Sequence, residues 1–363
     1  MSRPLRIVLS GGGTGGHIYP ALALARYIEK KRPGTQFLYI GSERGLEKNI
    51  VPKTGMAFEM VKIQGLKRSL SLENFKTLWY MIKSTAKAKK LLKEFKPDVV
   101  IGTGGYVCGP VLLAASQLHY PSIIHEQNSV AGITNKFLSR FVSRIAICFE
   151  DVAKDFGSCK DKLVYTGNPR GQEVIEQIKD SLDHQGDKKE VLIFGGSQGA
   201  EAINTAFLEA YKELAKRNYR VTLVTGKKLY DQVKVNLTED LRDNIELLPY
   251  IDDMPEKLAR CNLIVCRAGA TTLTEITALG LPSILIPSPY VTGNHQEHNA
   301  LSLAEKGAAV LIRESDLTGE LLLKEMDSIL NDPVCEKMMA QAAYDMGVRN
   351  ASERILELIE GLL

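Results

Sequence analysis

Three glycine-rich loops, each directly after a short apolar run, constrain the fold of this chain most strongly. Their sequences are Gly-Gly-Gly-Thr-Gly-Gly-His at 11–17, Gly-Thr-Gly-Gly-Tyr at 102–106 and Gly-Gly-Ser-Gln-Gly-Ala at 195–200. Because glycine has no Cβ, the backbone N–H groups of such a loop can approach an anion, and a following helix directs its positive end there. Two loops lie in the first half and one in the second, which predicts two halves facing each other across a phosphorylated ligand.

The rest of the chain alternates apolar runs with helical stretches, which predicts parallel sheets covered by helices on both faces. The pattern restarts after Gly-Asn-Pro-Arg at 167–170, and 363 residues exceed what one core usually supports. We therefore expect two doubly wound α/β domains, 1–166 and 167–363, with the ligand in a cleft at the carboxyl ends of the strands. The final helix, at 350–361, has no following strand and is expected to pack back on the first domain.

The apolar runs predict twelve strands, six in each domain. They are Arg6–Ser10, Gln36–Ile40, Phe58–Ile63, Asp98–Gly102, Ser122–His125, Arg144–Ile147, Glu190–Phe194, Arg220–Val224, Ile245–Pro249, Leu263–Cys266, Ser283–Ile286 and Ala308–Ile312.

Charge is divided unevenly along the chain. Residues 1–163 carry 25 Lys and Arg against 12 Asp and Glu, whereas residues 164–363 carry 21 against 31. A basic first half is typical of a protein that meets an anionic membrane or a nucleic acid, and attraction between the two domains is the alternative. Nucleic-acid binding is disfavoured because aromatic residues are interleaved with the basic ones in only one short patch.

The six cysteines show no C-x-x-C or metal-ligand spacing, and the first residues show no signal-peptide pattern. Together these features predict reduced thiols in a cytoplasmic protein. The longest uncharged run, 99–125, contains glycines and prolines that would break a membrane helix, so it is interpreted as strand, loop, helix and strand.

His17 ends the first glycine loop at the start of a predicted helix. An imidazole exchanges a proton near neutral pH, so His17 is a candidate general base, with helix capping as the alternative. The loop follows a strand as in dinucleotide-binding proteins, and Glu43 lies where a ribose-binding acid is expected. The glycine spacing does not match that fingerprint cleanly, so NAD binding is disfavoured.

The loop at 195–200 also matches G-x-S-x-G, the nucleophile turn of serine hydrolases, with Ser197 as the nucleophile. Asp252 or Asp253, then His295 or His298, follow in the order of a hydrolase triad. That interpretation leaves the first domain without a function. A phosphate-binding loop, in which Ser197 donates to a diphosphate, is therefore favoured.

A fourth loop, Arg-Ala-Gly-Ala-Thr-Thr-Leu-Thr-Glu at 267–275, leads from a predicted strand into a helix. Its small residues and hydroxyl groups suit close approach to phosphate, and Glu275 is placed to accept hydrogen bonds from ribose hydroxyls. An exposed acid favoured by the helix dipole is the alternative. Asn-His-Gln-Glu-His-Asn at 294–299 lacks the H-E-x-x-H spacing of a zinc site and is interpreted as a cluster that grips sugar hydroxyls.

In combination and order, these segments resemble the MurG family of bacterial N-acetylglucosaminyltransferases over essentially the whole chain. The matching segments are 11–17, 104–106, His-Glu-Gln-Asn at 125–128, 167–170, 195–200 and 267–275. The resemblance implies a GT-B fold, with a lipid-linked acceptor on the first domain and UDP-GlcNAc mostly on the second. It implies inverting transfer of GlcNAc to the C4 hydroxyl of MurNAc in undecaprenyl-pyrophosphoryl-MurNAc-pentapeptide, which converts lipid I to lipid II in peptidoglycan synthesis. A UDP-GlcNAc 2-epimerase of the same fold is the nearest alternative.

The resemblance also implies roles for individual residues. His17 is the candidate base, and Glu126 is the second candidate. The residues implied to contact UDP-GlcNAc are Thr14, Gly15, Gly16, Asn128, Arg170, Ser197, Ile251, Ala270, Thr271, Thr272, Leu273, Glu275 and Gln296. No D-x-D stands at a predicted strand end, so loop amides and Arg170 are expected to stabilise the leaving diphosphate. No cofactor is expected, although a bound Mg²⁺ stays an open alternative.

Phe75, Leu78, Trp79 and Ile82 have the spacing of one helical face, and lysines surround them in the sequence. An apolar face ringed by basic residues predicts peripheral docking on an anionic membrane, here the cytoplasmic face of the bacterial cell membrane. A core-facing helix with solvated lysines is the alternative. Other cell-wall synthesis or division proteins are further candidate partners.

Overall fold

The computed structural model describes residues 3–65, 73–178, 188–196, 198–237 and 241–363, apart from the side chains of 73–76, 78 and 292. The chain divides into two compact units, one made of Met1–Glu173 and Asn350–Leu363, the other of Val174–Arg349. The division falls inside the helix Pro169–Ile178, later along the chain than the boundary predicted at 166/167.

The first unit is built on a sheet of seven parallel strands. Their spatial order is third, second, first, fourth, fifth, sixth, seventh, so the winding reverses between the first and fourth strands. The strands are β1 Arg6–Ser10, β2 Gln36–Ser42, β3 Ala57–Val61, β4 Val99–Gly102, β5 Ser122–Glu126, β6 Arg144–Ile147 and β7 Leu163–Tyr165. The helices are α1 Gly15–Lys31, α2 Glu47–Ile50, α3 Glu73–Phe95, α4 Cys108–Gln117, α5 Ile133–Leu138 and α6 Pro169–Ile178, with 3₁₀ turns at Val51–Thr54 and Glu150–Lys162.

The second unit repeats the plan with six parallel strands in the equivalent order, and its winding reverses between β8 and β11. The strands are β8 Glu190–Phe194, β9 Arg220–Val224, β10 Ile245–Leu248, β11 Leu263–Cys266, β12 Ser283–Leu285 and β13 Val310–Leu311. The helices are α7 Glu201–Leu214, α8 Tyr230–Asn236, α9 Met254–Arg260, α10 Ala270–Leu279, α11 His295–Ala304, α12 Gly319–Leu330 and α13 Pro333–Met346, with a 3₁₀ turn at Thr292–Asn294.

Successive side chains of a strand point to opposite faces of the sheet, and β1 shows how the first unit buries both faces. Val8 packs into the core that includes α3 and α4, whereas Ile7 and Leu9 pack into the core that includes α1. The last helix, α14 Ala351–Glu360, contributes Ile355 to that second core and lies against α1. The end of the chain is therefore part of the first unit.

Each of the twelve predicted strands is present, with ends that differ by a few residues. The strand β7 was not predicted because its apolar run, Leu-Val-Tyr, is only three residues long and lies half-buried or exposed at the edge of the sheet. Over the described ranges, no helix combines the length and the apolar character needed to cross a bilayer.

Candidate active site

The topology places the first two glycine loops side by side. They follow β1 and β4, the neighbouring strands between which the winding reverses, and ligands of doubly wound sheets bind at this point. The backbone N–H of Gly12 donates to the carbonyl oxygen of Gly104 at 3.1 Å. A Cβ on Gly105 would lie only 2.4 Å from the carbonyl oxygen of Gly12, so the close contact requires glycine.

His17 lies in the first turn of α1, half-buried, with its ring over the second glycine loop. Its Nδ1 is 2.8 Å from the carbonyl oxygen of Gly12. Since a carbonyl can only accept, Nδ1 carries the hydrogen and Nε2 is the nitrogen that can take up a proton. A Cβ on Gly104 would lie 2.8 Å from that Nε2, and the Thr103 hydroxyl donates to the carbonyl oxygen of His17 at 2.6 Å. The loop thus holds one imidazole as a potential base.

Glu126 ends β5, the strand next to β4, and its carboxylate is buried and saturated by donors. Oε1 accepts from the backbone N–H and the side-chain amide of Asn128, at 3.1 and 3.2 Å. Oε2 accepts from the backbone N–H of Gly132 at 2.9 Å and from the amide of Asn135 at 2.8 Å. These four bonds fix the orientation of Asn128 and favour a positioning function for Glu126 over proton transfer.

The buried side chains of His125 and Gln127 connect the end of β5 to the second glycine loop. The Gln127 amide nitrogen donates to the carbonyl oxygen of Thr103 at 2.7 Å and to Nδ1 of His125 at 2.8 Å. His125 Nε2 then donates to the carbonyl oxygen of Gly167 at 2.9 Å. Burial lowers the pKa of His125 below its ordinary value, which agrees with a neutral imidazole in this arrangement.

Thr14 precedes α1 in an extended conformation, and Gly15 and Gly16 form the first turn of that helix. Thr14 is exposed and the two glycines are half-buried. The N–H groups of a first helical turn have no partner within the helix, so this turn can bind an anion.

Arg170 is the second residue of α6. Its guanidinium pairs with Glu173 and lies 6.0 Å from the ring centre of Tyr19. The backbone N–H of Arg170 donates to Oδ1 of the buried Asn168 at 3.1 Å. Because Tyr19 belongs to α1, Arg170 is held close to the helix that carries His17.

In the second unit, the third and fourth loops follow β8 and β11, again neighbouring strands where the winding reverses. A cavity of about 960 Å³ opens there. Among the residues predicted to bind the donor, Thr272 and Gln296 line this cavity together with Gly195, Gly196 and Ser288. Gln296 Oε1 accepts from the backbone N–H of Ser288 at 2.9 Å, which ties the start of α11 to the segment after β12.

The remaining predicted donor residues of the fourth loop lie on α10. Ala270, Leu273 and Glu275 are buried and Thr271 is half-buried. The Thr271 hydroxyl oxygen is buried and, among the described residues, has no hydrogen-bond partner. Ile251 is half-buried after β10, at the far end of the sheet order from β13.

Three predicted residues lie wholly or partly outside the description: the whole of Ser197, and the side chains of Phe75 and Leu78. The other two members of the predicted membrane face are exposed on α3, Trp79 by 55% and Ile82 by 57%. Lys83 Nζ lies 4.7 Å from the ring centre of Trp79. The core-facing alternative is therefore wrong for these two side chains.

Sequence reasoning missed Glu47 and the pair formed by Arg267 and Glu314. Glu47 is fully buried beneath the first glycine loop. Arg267 and Glu314 form an ion pair in the wall of the 960 Å³ cavity. Glu314 lies three residues after the short strand β13, and no motif marks it. Among the described residues, no cluster of three His, Cys, Asp or Glu side chains is arranged to hold a metal ion.

Comparison with known proteins decides the family. The N-terminal domain of glycosyltransferase family 28 matches residues 7–147, and its C-terminal domain matches residues 190–355. The chain belongs to glycosyltransferase family 28. It is a glycosyltransferase, and the resemblance to the MurG family predicted from the sequence is confirmed.

Full-length relatives of this glycosyltransferase carry one name, UDP-N-acetylglucosamine–N-acetylmuramyl-(pentapeptide) pyrophosphoryl-undecaprenol N-acetylglucosamine transferase. The protein from Leuconostoc mesenteroides is 54% identical, with 98% of each chain covered. That from Levilactobacillus brevis is 53% identical, with 99% of each covered. That from Bacillus cytotoxicus is 51% identical, covering 99% of this chain and all of the relative.

Solved structures agree with this assignment to the family 28 glycosyltransferases. The crystal structure of Acinetobacter baumannii MurG matches with a TM-score of 0.80 and 30% identity, covering 99% of this chain and 100% of that one. A putative UDP-N-acetylglucosamine 2-epimerase from Listeria monocytogenes matches with a TM-score of 0.68 at 16% identity, covering 99% and 97%. The second likeness shows the fold alone. The predicted α/β GT-B fold, with two Rossmann-like sheets, is confirmed.

Proposed function

We propose that this chain transfers GlcNAc from UDP-GlcNAc to the C4 hydroxyl of MurNAc in undecaprenyl-pyrophosphoryl-MurNAc-pentapeptide. This reaction converts lipid I to lipid II in peptidoglycan synthesis. The observation that carries the proposal is the identity of 51–54% over nearly the whole chain with transferases named for this donor and acceptor. The epimerase alternative rests on structural likeness at 14–16% identity, which does not favour that activity.

His17 is the proposed base. Its Nδ1–H is held by Gly12, so Nε2 takes the proton of the acceptor hydroxyl as the hydroxyl oxygen attacks the anomeric carbon of the donor. A positioned base of this kind accelerates proton transfer by about 10² to 10⁴. Attack on the face opposite the leaving diphosphate inverts the α linkage of the donor to β.

The leaving diphosphate gains negative charge as the bond to the sugar breaks. We assign its stabilisation to backbone N–H groups of the glycine loops, to Ser197 and Arg170, and to the first turn of α10, which carries Ala270–Leu273. Donors fixed before the reaction stabilise such charge without reorganisation, which makes this the largest expected contribution to the rate. The hydroxyl of Thr271, which has no hydrogen-bond partner among the described residues, supports the assignment, because a buried hydroxyl normally has one.

The donor's sugar and nucleoside have separate proposed contacts. Asn128, oriented by Glu126, binds the GlcNAc, and Gln296 binds its hydroxyls. Glu275 binds the ribose hydroxyls, and Ile251 packs against the uracil. Thr14, together with Gly15 and Gly16 in the first turn of α1, contributes from the acceptor-binding unit.

The lipid-linked acceptor motivates a docking proposal for α3. Trp79 and Ile82 are exposed beside Lys83, and Phe75 is predicted on the same face. Basic residues near an anionic lipid surface contribute about 1 kcal/mol each, in addition to the burial of apolar side chains. We therefore place the enzyme peripherally at the bacterial cell membrane, on the side where UDP-GlcNAc is available.

The test is transfer of labelled GlcNAc from UDP-GlcNAc to a short-chain lipid I analogue by the wild-type protein. A labelled disaccharide lipid is the expected product. Binding of UDP-GlcNAc without any transfer, or formation of UDP-N-acetylmannosamine in the absence of acceptor, would contradict the proposal and support the epimerase alternative.

A further inference from the structure

One peptide group of the first glycine loop is hydrogen-bonded on both sides by ionisable side chains. The carbonyl oxygen of Gly12 is 2.8 Å from Nδ1 of His17. The N–H of Gly13, in the same peptide group, donates to Oε2 of Glu47 at 3.0 Å. A carboxylate and an imidazole are therefore joined through the two polar ends of a single peptide plane.

Glu47 occupies a site built to receive it. The residue is fully buried, and its second oxygen accepts from the backbone N–H and the hydroxyl of Ser42, at 2.8 and 2.5 Å. A Cβ on Gly12 or Gly45 would lie 2.3 or 2.0 Å from a Glu47 carboxyl oxygen. Because both oxygens only accept, the group has the bonding pattern of a carboxylate, and its three donors are neutral.

We propose that Glu47 is a positioning residue that acts on His17 through the Gly12–Gly13 peptide group and stabilises the imidazolium formed during transfer. An N–H that donates to a carboxylate makes the carbonyl of its own peptide a stronger acceptor, because hydrogen bonds in a chain polarise one another. The carbonyl then holds Nδ1–H more firmly. The carboxylate also favours a nearby positive charge over a neutral ring.

The proton balance rests on the proposed function, in which His17 is the base. The acceptor hydroxyl gives its proton to Nε2, its oxygen bonds to the anomeric carbon, and the bond from that carbon to the diphosphate oxygen breaks. The electron pair of the broken bond leaves on UDP. Glu47 keeps its own protonation state and takes no part in bond making.

The other ionisable groups that face this region do not supply the same charge. The Tyr39 hydroxyl donates to the carbonyl oxygen of Gly11 at 2.9 Å, and burial raises its pKa well above the ordinary value. Cys108 lies beneath Gly104, and burial raises the pKa of its thiol to about 12. Both groups are therefore neutral near pH 7, whereas Glu47 has the bonding pattern of a carboxylate.

The experiment compares Glu47→Gln with wild type in the lipid I transfer assay over a range of pH. The variant keeps the shape of the side chain and removes its charge. We expect kcat to fall about tenfold or more, as for a weakened general base, with the affinity for UDP-GlcNAc unchanged. We also expect the acidic limb of the pH–rate profile to move to lower pH, because the imidazolium loses a stabilising charge.

Two control variants separate this effect from general loosening. Glu43→Gln makes the same charge change at an exposed residue of the same segment and should leave kcat and the pH profile unchanged. Ser42→Ala removes one donor to Glu47 but keeps the carboxylate and its bond to Gly13, so its pH profile should match wild type. The proposal would be overturned if Glu47→Gln lowered the melting temperature but kept the pH–rate profile of wild type. It would also be overturned if Ser42→Ala shifted that profile as much as Glu47→Gln does.

A measurement on the wild-type protein covers the case in which Glu47→Gln does not fold. The backbone amide resonance of Gly13 should respond when the imidazole of His17 gains its proton, because that imidazole bonds the carbonyl oxygen of the same peptide group. An amide that does not respond would overturn the proposal. If wild type makes no transfer product, the proposed function fails. The Gly13 resonance still tests the coupling of Glu47 to His17, because this measurement does not require turnover.

Discussion

Glu126 accepts hydrogen bonds from both nitrogens of Asn128, the backbone N–H at 3.1 Å and the side-chain amide at 3.2 Å. Its other oxygen also accepts two hydrogen bonds, from the backbone N–H of Gly132 and from the side-chain amide of Asn135. A carboxylate that is buried and bound by four donors has little freedom to approach an acceptor hydroxyl. Glu126 therefore orients Asn128, the residue proposed to bind the GlcNAc.

We predict that Glu126→Gln raises the KM for UDP-GlcNAc by about ten- to a hundredfold. The NH₂ group of the new glutamine would face N–H donors that it cannot bond, so the side chain of Asn128 would lose its fixed orientation. Steady-state kinetics at several pH values measure this effect. The acidic limb of the profile should stay in place because His17 is unchanged. Loss of that limb would identify Glu126 as the base instead.

The hydroxyl of Thr271 gives a second prediction. Thr271→Val should leave the melting temperature of the free protein unchanged or raise it, because the removed hydroxyl is buried without a partner. The same change should weaken UDP-GlcNAc binding about fivefold or more if that hydroxyl bonds the donor. Calorimetric titration measures the affinity.

Thr274→Val is the matched control on the same helix, since the Thr274 hydroxyl already donates to the carbonyl oxygen of Ala270 at 2.8 Å. It should bind the donor as wild type does. Equal loss of affinity in both variants would show that the effect comes from a disturbed α10.

A third prediction concerns the exposed face of α3. Replacing Trp79 and Ile82 together by serine should lower binding to anionic lipid vesicles about tenfold or more, because two apolar side chains no longer enter the interface. Cosedimentation with vesicles measures the binding, and UDP-GlcNAc affinity should persist. Serines at Val334 and Met338, an exposed apolar pair on α13, form the matched control and should bind vesicles normally. Joint loss of vesicle and donor binding would mean that the α3 change disrupts the fold.

A fourth prediction follows from His125. Burial lowers the pKa of His125 below its ordinary value of 6.5, so the unfolded chain takes up a proton at a higher pH than the native protein does. The contribution of His125 to the free energy of unfolding should therefore be fully present above about pH 6.5 and be lost as the pH drops below it. Protonation of His125 at Nδ1 would also break the hydrogen bond from the Gln127 amide, because both groups would then be donors.

Denaturant unfolding at pH 7.5 and 5.5 tests this dependence. His125→Gln should flatten it, whereas His119→Asn, a change at an exposed histidine, should retain it. An unchanged slope in His125→Gln would assign the acid sensitivity to other groups.

The strands could be predicted from the sequence because a buried parallel strand is a nearly continuous apolar run, as at Glu190–Phe194. The glycine loops followed from the same pattern, since each run stops where the backbone must turn closely. The strand β7 was missed because three apolar residues are too short a run to stand out. Local sequence therefore determines the strands of this fold except for this one short edge strand.

The site was less predictable where packing decides which of two similar residues faces inward. Glu43 and Glu47 both follow β2, yet Glu43 is exposed and Glu47 is buried beneath the loop. That choice depends on room left by Gly12 and Gly45, which are far apart in the sequence. The saturation of Glu126 likewise depends on Asn135, from the following helix.

The most direct test of the central claim is acceptor-dependent turnover of UDP-GlcNAc with analysis of the product linkage by NMR. Wild type should release UDP only when the lipid I analogue is present, and the new bond should be β-1,4, while His17→Ala should give far less product. UDP release that does not depend on the acceptor, or an α-linked product, would contradict an inverting transfer to lipid-linked MurNAc.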